Sequence, residues 1–116
     1  MDNTRQQKIA RQIQRDVAEI LQKDAADLVR GSLVTVTAVR ISPDLAYSKI
    51  YVSVFPFDRK DQVLAALGDK TWMIRKLLGA RIRNQLKIVP EIEFFLDDSL
   101  EYIDNIDQLL HGQKRD

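Results

Sequence analysis

Apolar residues recur at helical spacing at the start of the chain and alternate along its middle. Ile9, Ile13, Val17, Ile20 and Leu21 repeat every three or four residues. That spacing predicts a helix capped by Asn3 or Thr4 and closed by Gly31. Residues 33–41 (LVTVTAVRI) and 46–55 (AYSKIYVSVF) are β-branched and alternating, with Ser42-Pro43-Asp44 between them. They read as an antiparallel hairpin. In its second strand Ile50, Val52 and Val54 share one face, and Tyr47, Lys49, Tyr51 and Ser53 the other. Pro56 ends the hairpin. Helical pattern returns over 58–67, is interrupted at Gly68, and continues over 69–87 until Pro90 stops it. A glycine inside a helix costs about 1 kcal/mol relative to alanine, so a break or kink is expected near Gly68. Ile92, Phe94 and Leu96 then alternate with Glu93, Phe95 and Asp97 as a third strand. A short amphipathic helix over 99–110 follows, with Ile103, Ile106 and Leu110 on one side.

Three strands with one apolar face need helices over that face, which gives an α+β two-layer sandwich. The order αββααβ, plus the C-terminal helix, is that of a type II KH-like domain, an RNA-binding scaffold. An RRM would need the order βαββαβ and aromatic RNP strands. One domain spanning 1–116 is expected, with order from about 4 to 110 and loose termini.

Composition narrows the chemistry. At 116 residues with 45% hydrophobic side chains, the chain can bury a core without staples and is too apolar for disorder. It has no cysteine, which removes disulfides and thiolate metal sites. It carries no apolar run of signal-peptide or membrane-spanning character, so a cytoplasmic protein is expected. The one histidine, His111, lies in the C-terminal tail, too remote for a Ser-His-Asp set to be assembled around it, and no glycine-rich phosphate loop occurs. Neither catalysis, nor a small-molecule substrate, nor a cofactor is expected.

Charge adds the sharpest feature. The net charge of +1 hides a split: from Lys70 to Lys87 there are six bases and no acid, and from Glu91 to Asp107 seven acids and no Lys or Arg. A basic block on one element is the footprint of a polyanion partner. On a helix over 69–87, Arg75, Lys76, Arg83 and Lys87 fall within roughly one third of the circumference, opposite Met73, Ile74, Leu77 and Leu78. Those four are expected to point outward together, with Lys70 and Arg81 at the apolar edge reaching round it. Arginine forks onto phosphate oxygens, so Arg75 and Arg83 are the better anchors. In the first helix Arg5, Lys8, Arg11 and Arg15 stack along one side as secondary contacts, although ordinary solvation of a helix explains them equally well.

The remaining candidates have plainer readings. Glu93, Asp97, Asp98 and Glu101 match no calcium loop and have no histidine beside them, so no metal site is expected. They read as a solvated strand edge and helix start that also repels RNA. Tyr47 and Tyr51 share a strand face and read as cross-strand packing ahead of base stacking. Trp72 is expected to plug the core or the kink.

Four stretches together resemble the ribosome-binding factor A family: RQIQRDVAEIL (11–21), VTVTAVRISPDLAYSKIYVSVF (34–55), IRKLLGARIR (74–83) and PEIEFFLDDSLEYI (90–103). The similarity runs from about residue 4 to 110. It implies a KH-like, non-enzymatic factor that associates with the small (30S) ribosomal subunit as a monomer. Such a factor contacts 16S rRNA and assists its late maturation. Where the family marks its helix joint with Ala-x-Gly, this chain reads Lys70-Thr71-Trp72, with Gly68 just upstream. Two other readings fit parts of the pattern: a helix-turn-helix DNA binder, and a protein-interaction adaptor using the acidic C-terminal segment.

Overall fold

The computed structural model describes residues 4–97. Helix α1 spans Thr4–Gln22, strands β1 and β2 span Leu33–Ile41 and Tyr47–Phe55, helices α2 and α3 span Lys60–Asp69 and Thr71–Ile82, and strand β3 spans Glu91–Leu96. Short 3-10 turns precede β1 (Ala26–Val29) and α2 (Phe57–Arg59). The sheet order is β1-β2-β3, with β1 antiparallel and β3 parallel to β2. This is the expected αββααβ order. The expected helix over 99–110 lies outside the described residues.

The alternation read from the sequence sets the two layers. Ser48, Ile50, Val52 and Val54 of β2 are buried, and Tyr47, Lys49 and Tyr51 face the other way. Ile13, Val17 and Ile20 of α1, Leu67 of α2, and Ile74, Leu78 and Ile82 of α3 meet the inner face of the sheet. The hairpin closes through Ser42. Its hydroxyl accepts from the amides of Ala46 (3.2 Å) and Tyr47 (3.0 Å) and donates to Asp44 Oδ1 (2.6 Å). These short polar side chains fold the turn locally. A bulge at Thr37 shifts the β1–β2 register between Val36 and Ala38, and Thr37 Oγ1 bonds the Asp97 carboxylate across the sheet.

Three helix boundaries differ from expectation. Helix α1 stops at Gln22 and does not run to Gly31. The Ala25 amide bonds the Ile20 carbonyl at 2.7 Å, Ala25 is buried, and the chain turns there toward β1. Gly31 takes φ +83°, a conformation that closes the connection and not the helix. The joint between α2 and α3 lies at Lys70, not at Gly68. Lys70 sits at φ −111°, ψ 19°, which any L-residue can adopt. The Thr71 hydroxyl donates to the Leu67 carbonyl (2.9 Å), and the Lys70 carbonyl accepts from Met73 and Ile74 (both 3.0 Å). The break is the turn of the backbone at Lys70, and the Thr71 hydroxyl satisfies one of the last carbonyls of α2 beside it. Finally, α3 ends at Ile82, and Lys87 lies in the following loop. The amides of Gln85 and Leu86 both bond the Ile82 carbonyl, at 2.8 and 3.0 Å. Leu86 and Pro90 are buried, which turns the chain back to start β3 beside β2.

Candidate nucleic-acid interface

Helix α3 sorts its cations by direction. At 100° per residue Trp72, Lys76, Gly79 and Arg83 share one stripe about a sixth of the circumference wide, opposite the buried Ile74, Leu78 and Ile82. Lys76 and Arg83 are exposed, as are Lys70 at the joint and Lys87 in the loop. Arg75 lies beside this stripe and Arg81 on the opposite side of the helix, next to Ile74, and both are engaged within the fold.

Arg75 reaches the segment that leads into β3. Its Nε donates to the Pro90 carbonyl (3.1 Å), its Nη2 to the Val89 carbonyl (2.7 Å), and Glu91 lies 3.6 Å away. The guanidinium thus satisfies two carbonyls of an irregular segment that no strand partner satisfies. Arg81 bridges to α1 and the turn beyond it: Glu19 at 2.9 Å, Asp16 at 3.5 Å and Asp24 at 3.8 Å. Asp16 is 5% exposed and also accepts from Gln12 at 2.9 Å. A hydrogen bond from Arg81, and then its charge, hold the Glu19 carboxyl below the usual carboxylate range, and the same partners raise Arg81. The expected outward group of Arg75, Lys76, Arg83 and Lys87 is therefore corrected. Arg75 is tied to the β3 lead-in, and Arg81 is tied to α1 and does not reach round the helix edge. Lys87 escapes the stripe because the helix ends before it.

Helix α1 contributes more than its sequence signalled. Arg5, Lys8, Arg11 and Arg15 are all exposed and line one groove with Ile9, Gln12 and Gln85. An adjoining groove holds Arg5 beside Arg83, Asn84, Gln85 and Lys87, with Asp44 on its hairpin side. Arg5 and Gln85 belong to both. The fold thus brings the two sequence-distant basic sets, α1 and the end of α3, onto one continuous surface. Asn84 and Gln85 were invisible as candidates, because uncharged polar residues carry no signal in a charge pattern.

The outer face of the sheet is a different surface. Tyr51 stacks on Phe95 with ring centroids 5.6 Å apart, Lys49 Nζ lies 5.6 Å from the Phe95 ring centre, and Tyr47 donates to Glu93. These contacts are cross-strand packing of the kind expected for Tyr47 and Tyr51. Trp72 departs from expectation: it is 63% exposed and plugs neither the core nor the joint. Among the described residues no group of three or more His, Cys, Asp or Glu side chains is placed to hold a metal. No described helix is long and apolar enough to cross a membrane. Asp98, Glu101 and His111 lie outside the described residues.

Known proteins give this geometry a lineage. The chain is 41% identical over 110 residues to ribosome-binding factor A of Cytophaga hutchinsonii, covering 95% of this chain and 83% of that protein. It is 38% identical over 111 residues to that of Chlorobaculum tepidum, covering 95% and 91%. The crystal structure of ribosome-binding factor A from Thermus thermophilus superposes with a TM-score of 0.67 at 26% identity, over 78% of this chain and 94% of that one. A homology model of the Thermus thermophilus factor, fitted into a cryo-electron-microscopy map of its 30S complex, superposes with a TM-score of 0.63 at 28% identity, over 77% of this chain and 91% of that one. These structures share the KH-like fold. The ribosome-binding factor A family model matches residues 5–110, and the chain belongs to that family.

Proposed function

We propose that this protein binds the small ribosomal subunit by laying its basic surface on phosphates of 16S rRNA, and that it assists late maturation of that RNA. The contact is built from Arg5, Lys8, Arg11 and Arg15 of α1 with Arg83 and Lys87, while Lys76 and Lys70 extend it along α3. The observation that carries this reading is the shared position of Arg5, which lines one groove with the α1 cations and the next with Arg83 and Lys87. A Thermus thermophilus relative has been placed in a 30S complex, which supports the same partner here. Arg75 and Arg81 hold the surface in place and are not its phosphate ligands. A helix-turn-helix reading finds less support, because a single residue, Lys70, joins α2 to α3 where that motif needs a turn of three to four.

The test is co-sedimentation with isolated small subunits. Lys8→Glu/Arg11→Glu/Arg15→Glu and, separately, Arg83→Glu/Lys87→Glu should each weaken binding by at least tenfold while melting with wild-type cooperativity. Wild-type binding by either folded variant would remove that half of the surface from the interface. Depleting the protein should lead precursor 16S rRNA to accumulate, and unchanged processing would rule out the maturation role.

A further inference from the structure

Trp72 has no part in the core and no role in the electrostatic surface described above. Tryptophan is highly buried on average, so a ring left 63% exposed on a rigid helix needs a reason. It stands in the first turn of α3, at the head of the stripe that continues through Lys76 and Gly79 to Arg83. Lys70 Nζ lies 6.0 Å from the ring centre. Beside the ring is a groove of about 270 Å³ lined by Trp72, Arg75, Lys76, Gly79 and Val89. Drug-sized ligand sites begin near 300 Å³, so this groove is smaller than such a site.

Its floor is fixed. A Cβ added to Gly79 would lie 2.8 Å from Val89 Cγ2, so helix and loop already touch there, and Arg75 ties the same loop through Val89 and Pro90. No acid lines the groove. Lys70 and Lys76 are exposed cations, and Arg83 follows on the same stripe, about 16 Å from Trp72 along the helix axis. An aromatic ring set among cations, with phosphate-binding side chains further along, suits a nucleic-acid strand whose bases are unpaired. A base inside a duplex cannot offer its face to a side chain, whereas an unpaired one can stack.

We infer that Trp72 is a stacking platform for one unpaired base of the bound RNA, with Lys70 and Lys76 holding the phosphates on either side. This rests on the RNA-binding reading above and adds to it a preference for single-stranded over duplex segments. The chain has one tryptophan, so its fluorescence reports this site alone.

The experiment titrates the full chain at low salt with a ten-nucleotide oligoadenylate, with an RNA duplex of the same length, and with inorganic polyphosphate. The single strand should quench Trp72 strongly, and the duplex and polyphosphate should bind with little quenching. Read by the anisotropy of end-labelled RNA, since the variant has no tryptophan, Trp72→Ala should lose roughly 5- to 150-fold in single-strand affinity, the loss expected for one base stack, and should keep its duplex affinity. Trp72→Phe should recover most of that loss. Equal quenching by single strand and duplex would overturn the inference, as would unchanged single-strand affinity in folded Trp72→Ala. Quenching by an oligoglutamate peptide as strong as by RNA would assign the ring to a protein partner instead. If Trp72→Ala is indifferent while binding still depends on Lys8, Arg11 and Arg15, only the stacking fails. If the wild type binds no RNA, both readings fall.

Discussion

Arg75, Arg81 and Arg83 look alike in the sequence and have three different fates. Each lies within a nine-residue stretch, and the fold sends one to a pair of carbonyls, one to three carboxylates and one to solvent. Arg75→Ala leaves the carbonyls of Val89 and Pro90 without their donor, which should cost about 1–2 kcal/mol of stability. Thermal melts check this, and a variant as stable as wild type would return Arg75 to the RNA surface. Arg81 makes a prediction about pH. Because Arg81 lowers the Glu19 pKa in the folded state, the stabilisation is present above the ordinary glutamate range and disappears as pH falls through the lowered value. The difference in melting temperature between wild type and Arg81→Gln should therefore be constant above about pH 5 and shrink as the solution is made more acidic than about pH 4. A difference that widened in acid would contradict the assignment. Asp44, also lowered by its bonds from Ser42 and Ala46, is common to both proteins and cancels in the comparison.

Strands were legible to within a residue, and helix ends were not. Alternation has a period of two, and a slip of one residue would turn Ile50, Val52 and Val54 to solvent, so burial pins the register. Helix ends answer to capping and to where the chain must go next. The α2–α3 joint illustrates the difference, because a lone glycine drew attention to Gly68 while the backbone leaves the helical path at Lys70, with φ −111° and ψ 19°. Gly68 lies inside α2, and a Cβ there would meet nothing within 4 Å. Gly68→Ala should consequently raise stability by about 0.5–1 kcal/mol, measured as a shift in denaturant midpoint. A loss of stability would show that the glycine holds a bend after all. The end of α3 was equally hidden: residues 83–87 continue the helical pattern, and only the burial of Leu86 and Pro90 explains why the chain leaves it.

Across the molecule, a net charge of +1 coexists with a surface on which Arg5, Lys8, Arg11, Arg15, Arg83 and Lys87 gather. Binding through such a surface is driven by counterion release and is correspondingly sensitive to salt. If about five phosphates are neutralised, log K should fall against log salt with a slope on the order of −3.5 to −4.5. Sedimentation with small subunits over a salt series measures it, and a slope near zero would exclude the electrostatic mechanism. Reversing Arg83 and Lys87 should flatten the slope by roughly the two contacts removed.

The sequence by itself determined the order of the described elements, the buried face of β2 and the family, because these rest on local periodicity and on residues in fixed succession. It also located the charge, but as a block along the chain. Only the tertiary structure decided which of those charges remain available, since that depends on partners far apart in sequence: Arg81 with Asp16 and Glu19, Arg75 with Val89 and Pro90, and Arg5 brought to Arg83. Charge is a property of a residue, whereas its direction and its partners are set by packing.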